Sequence, residues 1–251
     1  DLHSFPTRRS SDLVVGNLQV LRWLEHVLRE RFGHAWRLAY ECDDLVNLQL
    51  LGVEGGVSLG PVQSDFFRAN SYIPYMQWDA AAEGWHTVLP GALPAPGAAC
   101  LPTPLIEATP EGYRIHYDIL GLTYWMLNRV EEIGHTDLDQ HGRFPATSSH
   151  AYQHGYLERP IVDEWLHILG QVIQCVWPGL ELKQHLFSMK VSHDVDSPSR
   201  YGFRPPSKLL RAMGGDILKR GNFKGALLAP WIRLNTRDAL HPADQIGRAH
   251  V

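Results

Sequence analysis

Cysteine is scarce in this chain. Cys42, Cys100 and Cys175 lie far apart with no Cys-x-x-Cys pair, which excludes a disulfide framework and a zinc ribbon. They are expected to be buried thiols. No apolar run approaches the ~20 residues that cross a bilayer, so no transmembrane segment is expected. Positive charge is not in excess either: 23 Lys+Arg stand against 27 Asp+Glu, and a mildly acidic chain is a poor ligand for nucleic acid. No internal repeat is visible. The 251 residues suffice for one large soluble globular domain or one and a half smaller ones.

Both ends read as foreign. Residues 1–13, DLHSFPTRRSSDL, and 246–251, IGRAHV, match codon by codon the translated ends of common short-read sequencing adapters. Residues 14–245 are therefore read as an internal fragment of a longer gene assembled from environmental DNA, with the end stretches set aside as scars. Without their charged residues, Asp1, Arg8, Arg9, Asp12 and Arg248, the count is 20 basic against 25 acidic side chains, a net charge of −5. A missing natural start leaves the compartment open.

Several elements can be placed by periodicity. Leu18, Leu21, Leu24 and Leu28 share one face of a helix that Gly33 stops. From Trp36 to about Phe67, short apolar runs between Gly52, Gly55, Gly56 and Gly60 suit strands and tight turns. Residues 86–110, rich in Pro, Gly and Ala, read as an irregular cover outside the core. The segment YDILGLTYWMLNRVEEIG places Ile119, Leu122, Met126, Val130 and Ile133 on a helical stripe, with Asp118 as N-cap and Gly134 as C-cap. After a polar, aromatic loop, Pro160 opens a helix with the apolar face Ile161, Trp165, Leu169, Val172 and Val176, ended by Pro178-Gly179. A basic helix over about 207–220 follows later.

The stretch that carries chemistry is FSMKVSHDVDSPS, residues 187–199. Alternation of Phe187, Met189 and Val191 predicts a strand, with His193, Asp194 and Asp196 at its C-terminal end. In α/β folds that edge gathers functional residues, because the sheet holds them while the loops vary. Two carboxylates one residue apart on a turn can divide their work, one binding a divalent metal and the other taking a proton from metal-bound water. An acidic turn that caps the backbone around Pro198 is the competing reading.

VSHDVD at the end of a strand resembles the first motif of the polysaccharide deacetylase family, the NodB-homology carbohydrate esterases. Upstream, YDILGLTYWMLNRVEE, DQHGRFP and GYLERPIVDEW, within residues 117–177, are similar to an uncharacterised domain that precedes the deacetylase domain in some bacterial members. The resemblance implies an α/β protein: an N-terminal α+β domain over 14–180, then the first strand and helices of an incomplete (β/α) barrel over 181–245. It implies hydrolysis of N-acetyl groups on a bacterial surface glycan or its precursor. The cofactor it implies is a divalent metal, zinc or similar, held by one Asp and two His. On the matching positions Asp194 is the catalytic base and Asp196 the metal ligand. His193, where many members have an aromatic residue, is kept as an accessory candidate. The family's His-x-x-x-His pair lies after this motif, whereas here only His241 and the scar's His250 follow Asp196. The fragment is therefore expected to be inactive, to bind no metal by itself, and to be poorly packed beyond about Ser199, with apolar surface exposed.

Other features were weighed against plainer uses. His150 and His154 have metal-binding spacing but lie upstream in a loop, where packing is the better reading. Tyr124, Trp125, Arg129, Glu131 and Glu132 could line a sugar pocket, though at helical spacing core aromatics and solvated charges are favoured. Asp139, His141, Arg143 and Phe144 form a polar cluster suited to anchoring the loop, with Arg143 expected to pair with Glu131, Glu132 or Asp163. Lys208, Arg211, Lys219 and Arg220 read as an exposed basic face. The alternative to an enzyme is a carbohydrate-binding or interaction module, or an inactive deacetylase-like scaffold.

Overall fold

The computed structural model describes residues 10–41, 44–192 and 199–236, with side chains from residue 18 onward. It divides into two compact units, Asp1–His185 and Leu186–Val251. The architecture is mixed α/β, with six helices and no closed barrel among the described residues.

The first unit opens with α1 (Ser10–Phe32), which Gly33 ends at φ +84° as the leucine pattern predicts. Leu21, Leu24 and Leu28 are buried, while Leu18 is exposed. A meander follows, β1 (Trp36–Tyr40), β2 (Val46–Leu50) and β3 (Gly56–Leu59). Trp36, Leu38, Val46, Leu48 and Leu50 alternate with exposed or half-buried residues, so one face of the sheet is core and the other is not. Two further strands, β6 (Ile106–Thr109) and β7 (Gly112–Ile115), complete the order β1-β2-β3-β7-β6. Among the described strands only the β3–β7 pair is parallel, with Gly56 opposite Gly112. There the backbones approach so closely that a Cβ on Gly112, at φ +145°, would lie 2.1 Å from the Gly56 carbonyl oxygen.

Between these strands the structure corrects the reading of 86–110. β4 (Tyr75–Trp78) pairs antiparallel with β5 (Leu93–Pro96), whose four residues are all buried. A strand with two prolines lacks two donors, but its carbonyls remain acceptors. Trp165 Nε1 donates to the Pro94 oxygen at 2.8 Å, and the Tyr117 hydroxyl donates to that of Pro96 at 2.7 Å. These partners are distant in sequence, so composition alone hides the strand.

The stripe from Ile119 breaks early. Helix α2 (Ile119–Leu127) ends as Asn128 Nδ2 turns back to the Tyr124 carbonyl, and Arg129 takes a left-handed φ of 52°. A 3-10 turn, Val130–Glu132, follows, with Ile133 exposed. Near the chain's polar loop lies the one-turn helix α3 (His150–Gln153), and then α4 (Ile161–Val176), which buries Ile161, Trp165, Leu169 and Val172 as expected. Helices α1, α2 and α4 pack with the sheet in one core. The buried-thiol expectation fails at Cys100 and Cys175: both are exposed, Cys175 lying off the α4 face that buries Val172 and Ile173, and Cys42 lies outside the described residues.

Asp118 caps α2 as expected. Its Oδ1 accepts from the Gly121 N–H at 2.7 Å and its Oδ2 from the Gln63 N–H at 2.8 Å. Burial nevertheless lifts its carboxyl from the ordinary 3.8 to about 6, outweighing those two donors. The folded chain thus holds this proton more tightly than the unfolded chain. The associated stability is full below pH 3.8 and is lost as pH rises to about 6, on the order of 3 kcal/mol at ~1.4 kcal/mol per unit. Relative to Asp118→Asn, the wild-type denaturation midpoint is expected to fall between pH 4 and 6; parallel profiles for the two proteins would refute this.

In the second unit, Phe187, Met189 and Val191 correct the strand expectation: they belong to no sheet among the described residues and are 94, 74 and 70% exposed. Alternation supplies a strand's face but not the neighbouring strand that must satisfy its backbone. Helices α5 (Pro206–Arg220) and α6 (Phe223–Asn235) form a hairpin through Gly221. Asp216, fully buried, accepts from Arg200 Nε at 2.8 Å and from the Tyr201 hydroxyl at 2.5 Å. Around it the core is small, formed by Tyr201, Leu209, Ala229 and Ile232. Leu218, Leu227 and Leu234 are about four-fifths exposed, as the expected poor packing requires, and Lys208, Arg211, Lys219 and Arg220 form an exposed face.

Candidate functional site

His193, Asp194 and Asp196 lie outside the described residues. Among the described residues no group of three His, Cys, Asp or Glu side chains is placed to hold a metal ion. The metal implied by the family resemblance therefore finds no ligand set there, and the His150/His154 pair does not supply one. His150 Nε2 lies 3.0 Å from the Ile73 carbonyl oxygen, which can only accept, so Nε2 carries the proton. Nδ1 then accepts from the Tyr156 hydroxyl at 2.6 Å. Both nitrogens are committed, and burial, aided by neighbouring His154, pushes the ring's pKa down to about 4. His150 is a neutral structural histidine, which agrees with the packing reading. The His154 ring stacks on Tyr75 at 4.4 Å.

These histidines nevertheless help to build a pocket of about 230 Å³, formed by three separate segments. The stretch before β4 contributes Arg68, Asn70 and Tyr72; the end of α2 and the turn after it contribute Trp125, Glu131 and His135; the polar loop contributes Phe144 and His154. Tyr72 is 85% exposed at the rim, whereas Trp125 is only 3% exposed and is fixed edge-on against His150 at 5.7 Å. Glu131 Oε2 accepts from the His150 backbone N–H at 3.2 Å, tying the turn to α3. Burial pushes the Glu131 carboxyl up and Glu132 adds to the rise, while the His150 N–H and His135 oppose it.

The sequence suggests Trp125 and Glu131 together as possible lining of a sugar pocket, His150 and His154 as a pair and Phe144 in a polar cluster, with a plainer use favoured for each group; the structure brings all five to one pocket. Arg68, Tyr72 and His135 were missed, and no local pattern marks them, because they meet the others only through the fold. Tyr124 packs edge-on against Trp23 at 5.7 Å, a core role. Arg129 is spent on Glu132 in the same turn. Arg143 makes none of the expected pairs, since Glu132 pairs with Arg129 and Asp163 with Arg31. Asp139 does anchor the loop, its Oδ1 accepting from the His141 and Arg143 N–H groups at 2.8 and 2.9 Å.

A second pocket, about 270 Å³, includes Arg31, His167, Lys183 and His185. Its cations are already engaged, Arg31 with Asp163 and Lys183 with Glu30, so it offers a ligand less unmet charge than the pocket at Glu131. No helix among the described residues is long and apolar enough to cross a membrane. Neither a curated protein nor a solved structure matches the chain. Residues 23–178 match the model of a family described as a family of unknown function (DUF7033), a span that includes every residue of the Glu131 pocket and ends before Asp194 and Asp196. By that match over more than half its length, the chain belongs to the DUF7033 family.

Proposed function

We propose that this chain is a piece of a metal-dependent polysaccharide N-deacetylase acting on a bacterial surface glycan or its precursor. The observation that carries the reading is KVSHDVDSP, residues 190–198, and its likeness to the first deacetylase motif. On this reading Asp194 takes a proton from the attacking water, Asp196 gives one ligand oxygen to a divalent metal, and His193 is accessory. The helices of the second unit, with their exposed apolar faces, are then early elements of a barrel.

The test is acetate release from N-acetylated oligosaccharides by the product of the complete reading frame, with and without chelator. Chelator-sensitive release is expected, reduced about 100-fold or more by Asp194→Asn and abolished by Asp196→Asn. A folded, metal-loaded protein that releases no acetate from any of several glycans would overturn the enzyme reading.

One observation favours a second reading. The Glu131 pocket combines aromatic walls with polar side chains inside the family domain, which suits a carbohydrate-binding module whether or not the barrel is catalytic.

A further inference from the structure

We infer that the Glu131 pocket is an amino-sugar site, taking one hydroxylated ring whose primary ammonium sits against the Glu131 carboxylate. The inference rests on the carbohydrate-binding reading and narrows it to the deacetylated form of the sugar.

At about 230 Å³ the space is smaller than a drug-sized site, for which ~300–1,000 Å³ is typical; it suits a single ring. Glu131 is half-buried, and its one hydrogen bond among the described residues comes from the His150 backbone N–H. Its neighbour Glu132 is neutralised by Arg129 on the same turn, but Glu131 has no salt-bridge partner among the described residues. Burial has therefore raised the cost of its charge, and although His135 opposes the rise, neither His135 nor Arg68, which line the same pocket, forms an ion pair with it. A ligand ammonium supplies a paired cation.

The walls make the same selection. Phe144 and the rim residue Tyr72 line the same pocket as Glu131, over the buried Trp125, and exposed aromatic faces attract ammonium ions while also covering the apolar face of a ring. Arg68 and Asn70, on the segment that carries Tyr72, supply donors suited to hydroxyl oxygens. His150 cannot compete for the ammonium, because both of its nitrogens are bonded within the protein. An N-acetyl group lacks what the pocket selects for: it carries no charge for Glu131.

The experiment titrates the whole chain with glucosamine, N-acetylglucosamine and glucose, followed by calorimetry and by tryptophan fluorescence. Glucosamine is expected to bind about tenfold or more tightly than either of the others, and Glu131→Gln to remove that preference. Glutamine keeps an acceptor for the His150 N–H, so an unchanged unfolding midpoint is expected to separate lost charge from lost fold. Tyr72→Ala, a change at an exposed rim, is expected to weaken glucosamine binding several-fold. Equal binding of all three sugars, or a Glu131→Gln protein that still prefers glucosamine, would overturn the amino-sugar assignment alone. Binding of none would overturn the carbohydrate-binding reading with it. Glucosamine binding in a protein that releases no acetate would leave this site standing and remove only the deacetylase reading.

Discussion

Replacing Arg159 by alanine is expected to destabilise the family domain by about 3–5 kcal/mol. Its guanidinium donates from Nε and Nη2 to Glu164 at 3.1 and 2.6 Å, and from Nη1 to the Ala92 carbonyl at 2.8 Å. The Glu164 side chain is 1% exposed and that of Arg159 20%. Truncation would strand a carboxylate inside the protein and leave the Ala92 carbonyl, next to β5, without its donor. The cost arises from the abandoned partner more than from the lost attraction. Adding Glu164→Gln to the alanine variant is therefore expected to recover part of the loss, because an unpaired amide is cheaper to bury than an unpaired carboxylate. Urea midpoints of the single and double variants decide the matter. A single variant within about 1 kcal/mol of wild type would show that water solvates Glu164 as well as Arg159 does.

Trp165→Ala is expected to cost about 3–5 kcal/mol. The side chain is fully buried, stacks on Trp78 at 5.4 Å and lies 4.2 Å from the Tyr117 ring. Its indole N–H is also the donor that reaches Pro94 in β5. Trp165→Phe keeps an aromatic ring but abandons that carbonyl, and a loss of about 1–3 kcal/mol is expected. Equal losses in the two variants would mean that the hydrogen bond, and not the packing, dominates; a negligible loss in Trp165→Phe would mean that the Pro94 carbonyl finds another donor. Unfolding curves followed by circular dichroism distinguish these results.

How much could be read from the chain follows from how local each signal is. Helices α1 and α4 were legible because their apolar residues recur every turn and their ends carry Gly33 and Pro160. Asp118 was legible as a cap because it immediately precedes Ile119. The end of α2 was not, because Asn128 and Arg129 stop the helix while Val130 continues its apolar spacing. β5 was illegible for a different reason: a Leu-Pro-Ala-Pro strand becomes core only when Trp165 and Tyr117 satisfy its carbonyls. Phe187, Met189 and Val191 show the opposite error, a strand pattern without a neighbouring strand. The pocket was half legible: Trp125 and Glu131 stand close enough in sequence to be suggested together, whereas Tyr72 and Phe144 join them only through the fold.

The parallel pairing of β3 with β7 imposes an order on folding. β1, β2 and β3 are joined by short turns and can associate quickly through local contacts. β7 reaches β3 only after the chain from Gly60 to Glu111 has closed on itself, and that closure costs entropy before the new ladder contributes anything. β4, β5 and β6 all lie in this crossover, and so does the stretch that brings Arg68 and Tyr72 to the pocket. The meander is thus expected to form first and the crossover later. The Glu131 pocket itself is accordingly expected to close in refolding after most of the β1–β3 hydrogen bonds have formed.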